Sequence, residues 1–472
     1  MSHYSSPAEK DLKRDLENDQ PALNNNPSIA GEAQVHDDVF GEITDEGPNY
    51  RAVGWIGTVA LMMKTQIGLG VLSIPAVFDV LGIVPGIICL IIIAAITTWS
   101  DYMVGVFKRN HPQVYGIDDA GFLIFGRIGR EIFANSSDWI FVAGSGMLGL
   151  SIGLNAVSLH GTCTAVFVAV AAICGFLLAS VRTLGRISML AWVGLVCIMT
   201  AIFTVTIAVG IQDRPAAAPQ EGHWKSDWKA VGNPSFTEAI SSISSLIFAY
   251  AGTPGFFAIA AEMKRPEHYT RSLLICQGGV TITYIVIGCV VYLYCGSYVA
   301  SPALGSAGHL IKRVAYGISL PGLLATTVLV IHFAAKYVFV RLLRGTKHLS
   351  SNSAVHWGTW LACTIITTVI AYLIASGIPV FGGLVSLVGA LLGTLMSFQL
   401  YGFMWLYDNW AKGKHNPNMK WYLMVAFSVF VIVSGTFLMI GGTYGSIVGI
   451  IDSYKASGGS AAFSCADNSN ST

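Results

Sequence analysis

Charge is scarce in this sequence. Asp, Glu, Lys and Arg make up 11% of its 472 residues, against roughly 25% in soluble domains. The signs nearly cancel, 27 basic against 26 acidic side chains, so the basic footprint that nucleic acid demands is missing. No His/Cys cluster has metal-ligand spacing and no HExxH-type motif occurs, so nothing points to a metal, a cofactor or an enzyme. There is no CxxC pair, and an odd count of 9 cysteines outlines no disulfide framework. Eight of them (Cys89, Cys163, Cys174, Cys197, Cys276, Cys289, Cys295 and Cys363) fall within or at the ends of apolar runs and read as small packing residues. Cys465 stands in a polar C-terminal stretch, and nothing in the sequence supports a bridge from it to Cys295. A signal peptide is missing too. Residues 1–50 are polar throughout, without an apolar core, and their composition predicts a disordered tail.

Apolar surface is abundant instead. Hydrophobic residues are 53% of the chain and the mean hydropathy is +0.61. A soluble fold with this balance would expose large apolar patches, whereas lipid solvates them. Runs near 20 residues predict about eleven transmembrane helices. They cover Ala52–Val80, Gly82–Phe107, Ser137–Leu159, Thr162–Val181, Ile187–Ile211, Phe236–Met263, Ser272–Gly296, Leu310–Leu343, Ala354–Ser376, Pro379–Tyr407 and Trp421–Ile451. The fold class is therefore an all-α polytopic membrane protein, with its membrane domain over 51–452 and a short tail at 453–472. Gly317 and Pro321 are expected to bend the long eighth run.

Basic residues set the orientation. With the N-terminus cytoplasmic, fifteen Lys and Arg fall in inner loops and six in outer segments, the latter including Lys312 and Arg313. The odd number of spans then places the C-terminus outside, with the sequon at Asn470. The sequon at Asn135 falls on the wrong side and is discounted.

Two spans carry interruptions. The first reads KTQIGLGVLSIP, with Gly68 and Gly70 around Leu69. The sixth reads IFAYAGTPGFFAIAAE, with Gly252, Thr253, Pro254 and Gly255 in a row. Proline removes a donor and glycine frees the backbone. Close helix packing explains a glycine pair as well, but GTPG is harder to explain that way. The breaks lie five spans apart. Because five is odd, the second set of five enters the membrane inverted. Paired Gly/Pro-interrupted segments in two halves point to a transporter's binding site. Spans one to five (52–211) and six to ten (236–407) are read as inverted repeats, with 421–451 added. A half-helix starting near Gly70 aims free N–H groups at a carboxylate, and carbonyls around Phe248 to Ala251 suit an ammonium. Together these two poles describe an α-amino acid.

The stretches KTQIGLGVLSIPAVF, LGIVPG, YGIDDAGFLIFGRIGREI and IFAYAGTPGFFAIAAEMKRPEHY resemble the amino acid/auxin permease family, nearest to the fungal neutral amino-acid permeases of the methyltryptophan-resistance type. The resemblance spans Tyr50 to Asp452. It implies the five-plus-five inverted-repeat (amino acid–polyamine–organocation, LeuT-like) fold with helices one and six broken. It also implies proton-coupled uptake of neutral aliphatic and aromatic amino acids at the plasma membrane. By position it places substrate contact on Gln66, Gly68, Leu69, Gly70 and Val71, and on Phe248, Tyr250, Ala251, Gly252 and Thr253. Lys64 departs from the acidic or neutral residue that several relatives carry nearby.

Ionisable groups at membrane depth are functional candidates. Lys64 is read as snorkelling to the cytoplasmic interface, with a role in coupling as the alternative. Asp101 either carries the coupling proton or pairs with Lys108 or Arg109 at a helix end. Glu262 is expected in a surface ion pair with Lys264 or Arg265, in preference to a gate with Lys64. His332 and Lys336 share one face of span eight, His332 as a packing residue. Thr326 and Thr327 offer hydroxyls for Na⁺, although the resemblance favours protons. An amino-acid-sensing receptor and a vacuolar exporter are the competing functions. A channel lacks its repeated polar lining. In the tail, Ser5, Ser6, Lys10 and Lys13 suit modification that recruits a ubiquitin ligase or endocytic adaptor.

Overall fold

The computed structural model describes residues 51–456 and 463–469, apart from positions 134–135, 216, 220, 350, 379 and 416. In the preceding tail it describes one short antiparallel ribbon, His36–Asp37 against Gly41–Glu42. The remaining tail residues, and with them the regulatory positions Ser5, Ser6, Lys10 and Lys13, lie outside the described residues, as do Asn135 and Asn470.

Hydrocarbon offers no hydrogen bonds, so an apolar run satisfies its backbone internally as helix. Among the described residues nine helices are long and apolar enough to cross a membrane: Ile83–Asn110, Trp139–Ser158, Ile187–Ile211, Phe236–Ala261, Pro266–Tyr298, His309–Leu343, Ala354–Gly377, Phe381–His415 and Met419–Ser453. The shorter apolar helix Thr164–Ala179 stands between the second and third of these. Ahead of them all, Trp55–Gln66 and Ile74–Leu81 form one interrupted element. These elements are called spans one to eleven in chain order.

Span eight, His309–Leu343, is the hub. It packs against span three (Ser136–Ser158) and span five (Leu184–Ile211). It runs as one helix through Gly317 and Pro321. Of these nine helices, span six is the most enclosed and span eleven the least. Apolar side chains such as Ile88, Ile92, Val193 and Val433 face outward, where lipid would solvate them. Span ten is irregular, passing from the helix Phe381–Val388 into two π-helical turns, Gly389–Gly393 and Leu395–Gln399.

Each end of the bundle is tied differently. At the end where Arg51 enters, Val53 N–H donates to the Glu262 carbonyl (3.1 Å) and Lys264 N–H to the Val53 carbonyl (2.8 Å), joining the start of span one to the end of span six. Two short amphipathic helical segments within Ile117–Ile132, separated by a kink at Gly126 (φ 68°), lie at this end, and hydropathy alone does not separate them from a loop. Arg344, just past span eight, donates to both carboxylate oxygens of Asp119 (3.0 and 2.9 Å) and to the Gln113 carbonyl (2.8 Å). Burial and the neighbouring Asp119 charge push the Asp118 carboxyl up.

At the far end a disulfide joins Cys163, before span four, to Cys465 in the C-terminal tail, with Cα atoms 4.3 Å apart. This corrects the reading of Cys163 as a packing residue. Cys295 is a free and buried thiol, and so is not the partner of Cys465. The tail around the bridge is held by further bonds. Thr164 Oγ1 donates to the Ala466 carbonyl (2.6 Å), Asn468 Nδ2 to Ser151 Oγ (3.0 Å), and Lys312 Nζ to the Ser469 carbonyl (2.6 Å).

Thiol labelling tests this covalent tie. Cys163 and Cys465 should resist a maleimide in the intact protein and react after reduction. Cys465→Ser should lower thermal stability, since a native disulfide typically contributes about 2–4 kcal/mol.

Candidate functional site

The two interruptions meet. A Cβ on Gly70 would stand 2.4 Å from Ala249 Cα, and one on Gly252 would stand 2.4 Å from Thr65 Oγ1. Each break therefore presses a glycine against the other span, just before that span's own break. Close packing and interruption are both true of these glycines. Gly68 is tight as well, its Cβ position lying 2.7 Å from Thr326 Oγ1 on span eight.

The first span leaves helical geometry at Ile67 (ψ 93°) and resumes as a 3-10 turn at Gly70–Leu72. Among the described residues no acceptor takes the N–H groups of Gly68, Leu69, Gly70 or Val71. Four consecutive free donors form a cradle for an anionic group. The Gln66 side chain, 2% exposed, has neither its oxygen nor its nitrogen paired. Buried polar atoms are ordinarily satisfied, so these are groups that a polar ligand would satisfy.

The second break differs from expectation. The carbonyls of Phe248, Ala249 and Tyr250 already accept bonds, from Ala251 N–H (3.1 Å), the Tyr284 hydroxyl (2.8 Å) and Gly252 N–H (2.8 Å) respectively. The row of free carbonyls expected around Phe248 to Ala251 is thus largely occupied. Tyr284, on span seven, also lies 2.8 Å from the Gln66 carbonyl, so one hydroxyl sits between the two broken helices. Tyr250 turns toward span seven, donating to Thr281 Oγ1 (3.0 Å) with its ring edge-on to Tyr284. Phe248 faces the π-helical turn of span ten, where a Cβ on Gly389 would come within 2.9 Å of its Cβ. Leu69, Val71 and Ala251 are buried in the same region.

The charged candidates are also redistributed. Lys64 does not snorkel. It is fully buried, and its ammonium donates to the Ile67 carbonyl (3.0 Å) and to Thr326 Oγ1 (2.5 Å). Glu262 is not at the surface. It is ion-paired with Lys336, both side chains at most 2% exposed. Lys336 is thereby accounted for, while His332, one turn earlier, packs edge-on to Trp360. Asp101 pairs with neither Lys108 nor Arg109. Lys108 donates to the Val114 carbonyl (2.7 Å), and Asp101 is buried and accepts from Gln277 on span seven. Thr253 lies beside the same carboxyl group. Tyr284, Gln277 and the π-helical turns escape sequence reasoning. Gln277 alone leaves a signal, as an amide inside an apolar run.

Two interrupted helices packed break to break inside a helical bundle define a five-plus-five inverted-repeat transporter. The solved structure of a substrate-bound, Na⁺-coupled sialic acid symporter in its outward-open state shares this fold. Its TM-score is 0.52 at 14% identity, covering 86% of this chain and 92% of that one. Residues 51–448 match the family described as Transmembrane amino acid transporter protein, and the chain belongs to that family. It is an integral membrane transport protein. A "Transmembrane transporter" of Gibberella moniliformis is 34% identical over 436 residues, covering 92% of this chain and 91% of that one. The "N amino acid transport system protein" of Neurospora crassa is 31% identical over 425 residues, covering 88% and 89%.

Four variants probe this geometry in the purified protein. Gly70→Ala should cost about 1–3 kcal/mol or more of stability through overpacking. Gly278→Ala should be near neutral, because its Cβ would meet nothing within 4 Å. Lys336→Met should cost about 3–5 kcal/mol by removing the opposite charge from a buried carboxylate, and adding Glu262→Gln should recover much of that loss. Thermal unfolding in detergent reads all four variants.

Proposed function

We propose that this protein is a secondary transporter that moves neutral aliphatic and aromatic amino acids together with protons by alternating access. The observation that carries the reading is the run of free N–H groups from Gly68 to Val71, set beside the unpaired amide of Gln66. A carboxylate binds there through main-chain donors and the positive end of the half-helix, without a basic side chain. Glu262 and Lys336 neutralise each other, and so offer no unpaired charge to a charged substrate side chain. The name of the Neurospora relative supports an amino-acid substrate. Phe256 and Phe257 supply buried apolar surface in the half-helix after the second break.

The orientation has the N-terminus in the cytoplasm and the C-terminus outside, at the plasma membrane. The disulfide supports it. Cys163 and Cys465 lie at the end that this topology puts outside, and disulfides persist in oxidising surroundings.

The test is uptake of labelled phenylalanine and leucine into cells that lack their own permeases, at external pH 5 and 7.5. Uptake should be several-fold faster at pH 5 and absent in Gly70→Leu. Surface expression without uptake would favour a receptor. Uptake that ignores pH and needs Na⁺ would overturn the proton assignment.

A further inference from the structure

Lys64 holds a position that its place in the sequence does not suggest. Its ammonium is folded back into the first break, where it bridges the Ile67 carbonyl (3.0 Å) and the Thr326 hydroxyl (2.5 Å). Neither oxygen is an incidental neighbour. The Ile67 carbonyl is released by the helix interruption itself, and Thr326 stands on the hub helix, its hydroxyl 3.2 Å from the Gly322 carbonyl. Space for the lysine stem comes from span five. A Cβ on Gly194 would stand 3.0 Å from Lys64 Cε and 2.4 Å from Ala325 Cβ. The site is thus built from three spans around one positive charge. Main-chain carbonyls freed by a broken helix are what transporters of this architecture offer a coupling cation, and here the Thr326 hydroxyl joins one.

The surroundings supply no counter-charge. Among the described residues no carboxylate is ion-paired with Lys64. Cys197, on span five, is near enough to act on it electrostatically. Span seven contributes the Tyr284 hydroxyl, bound at the neighbouring Gln66 carbonyl. His332 and Lys336 lie further along span eight, about 9 and 15 Å of helical rise beyond Thr326. Glu262, at the end of span six, is bound to Lys336. The charge is therefore held by oxygen dipoles alone, and it persists only while spans one and eight keep those oxygens in place.

We propose that Lys64 is a tethered cation filling a coupling-ion site, so that the transported proton is the one carried on its Nζ. This deepens the transport reading above and rests on it. Protonated, the ammonium pins the first break to span eight. When Nζ gives its proton to water admitted from the low-proton side, both hydrogen bonds lose their charge assistance and the pin between the two spans weakens enough for them to part. Reprotonation by water on the other side restores the pin.

The experiment uses the full chain in liposomes, with wild type and Lys64→Gln compared in two assays. One is accumulation of labelled leucine or phenylalanine driven by an acid-outside pH gradient. The other is exchange of labelled for unlabelled substrate at equal pH. The ratio of accumulation to exchange should fall about tenfold or more in Lys64→Gln, the scale of a coupling free energy. The pH dependence of exchange should flatten as well. An unchanged ratio, whether both activities persist or both collapse together, overturns the proposal and leaves Lys64 a structural pin. If wild type moves neither amino acid in either assay, the transport reading itself falls and this inference falls with it.

Discussion

A helix that stops inside hydrocarbon must find partners for the backbone groups it releases, and that constraint organises the centre of this protein. The first break places Gly70 against Ala249, and the second places Gly252 against Thr65. The carbonyls released at the breaks are met from within and from outside the pair. Lys64 folds back along span one to the Ile67 carbonyl, and Tyr284 reaches in from span seven to the Ala249 carbonyl. The N–H groups of Gly68 to Val71 stay unclaimed, and the proposed carboxylate site rests on these donors.

The buried charges divide by the same logic. Glu262 and Lys336 cancel one another and fasten the end of span six to span eight. Asp101 relies on the Gln277 amide, with Tyr269 bound to its own carbonyl at 2.8 Å. Lys64 relies on two oxygens. A lone charge in a dry interior depends on the geometry of its solvating dipoles, whereas a matched pair is far less sensitive to it. The pair suits a fixed fastening and the lone groups suit elements that change state.

The breaks themselves are legible in the sequence, because GLG and GTPG weaken a helix exactly where an apolar run would otherwise sustain one. The helical runs are legible because lipid forces a simple pattern. The partners of the side chains are not. Lys64 lies near a helix end, so its stem suggests the interface, yet Thr326 is 262 positions away. Glu262 sits beside Lys264 and Arg265, yet its partner is 74 positions away. Cys163 sits at the edge of an apolar run, which suggests packing. Its partner is 302 positions distant in a polar tail. In each case local spacing points to the nearest plausible neighbour and tertiary packing supplies another. The occupied carbonyls of the second break are the same lesson in the backbone, since Tyr284 has no signature in an otherwise apolar helix.

The bridge between Cys163 and Cys465 turns most of the transporter into a macrocycle. Spans four to eleven lie within its covalent circumference, and spans one to three are its exocyclic arm. A cut in any loop of the ring would leave the fragments joined, so scission there linearises the molecule without dividing it. The arm carries the first break, the free N–H donors and Lys64. The half of the site proposed to hold the carboxylate and the proton therefore hangs from a frame whose own ends are chemically closed.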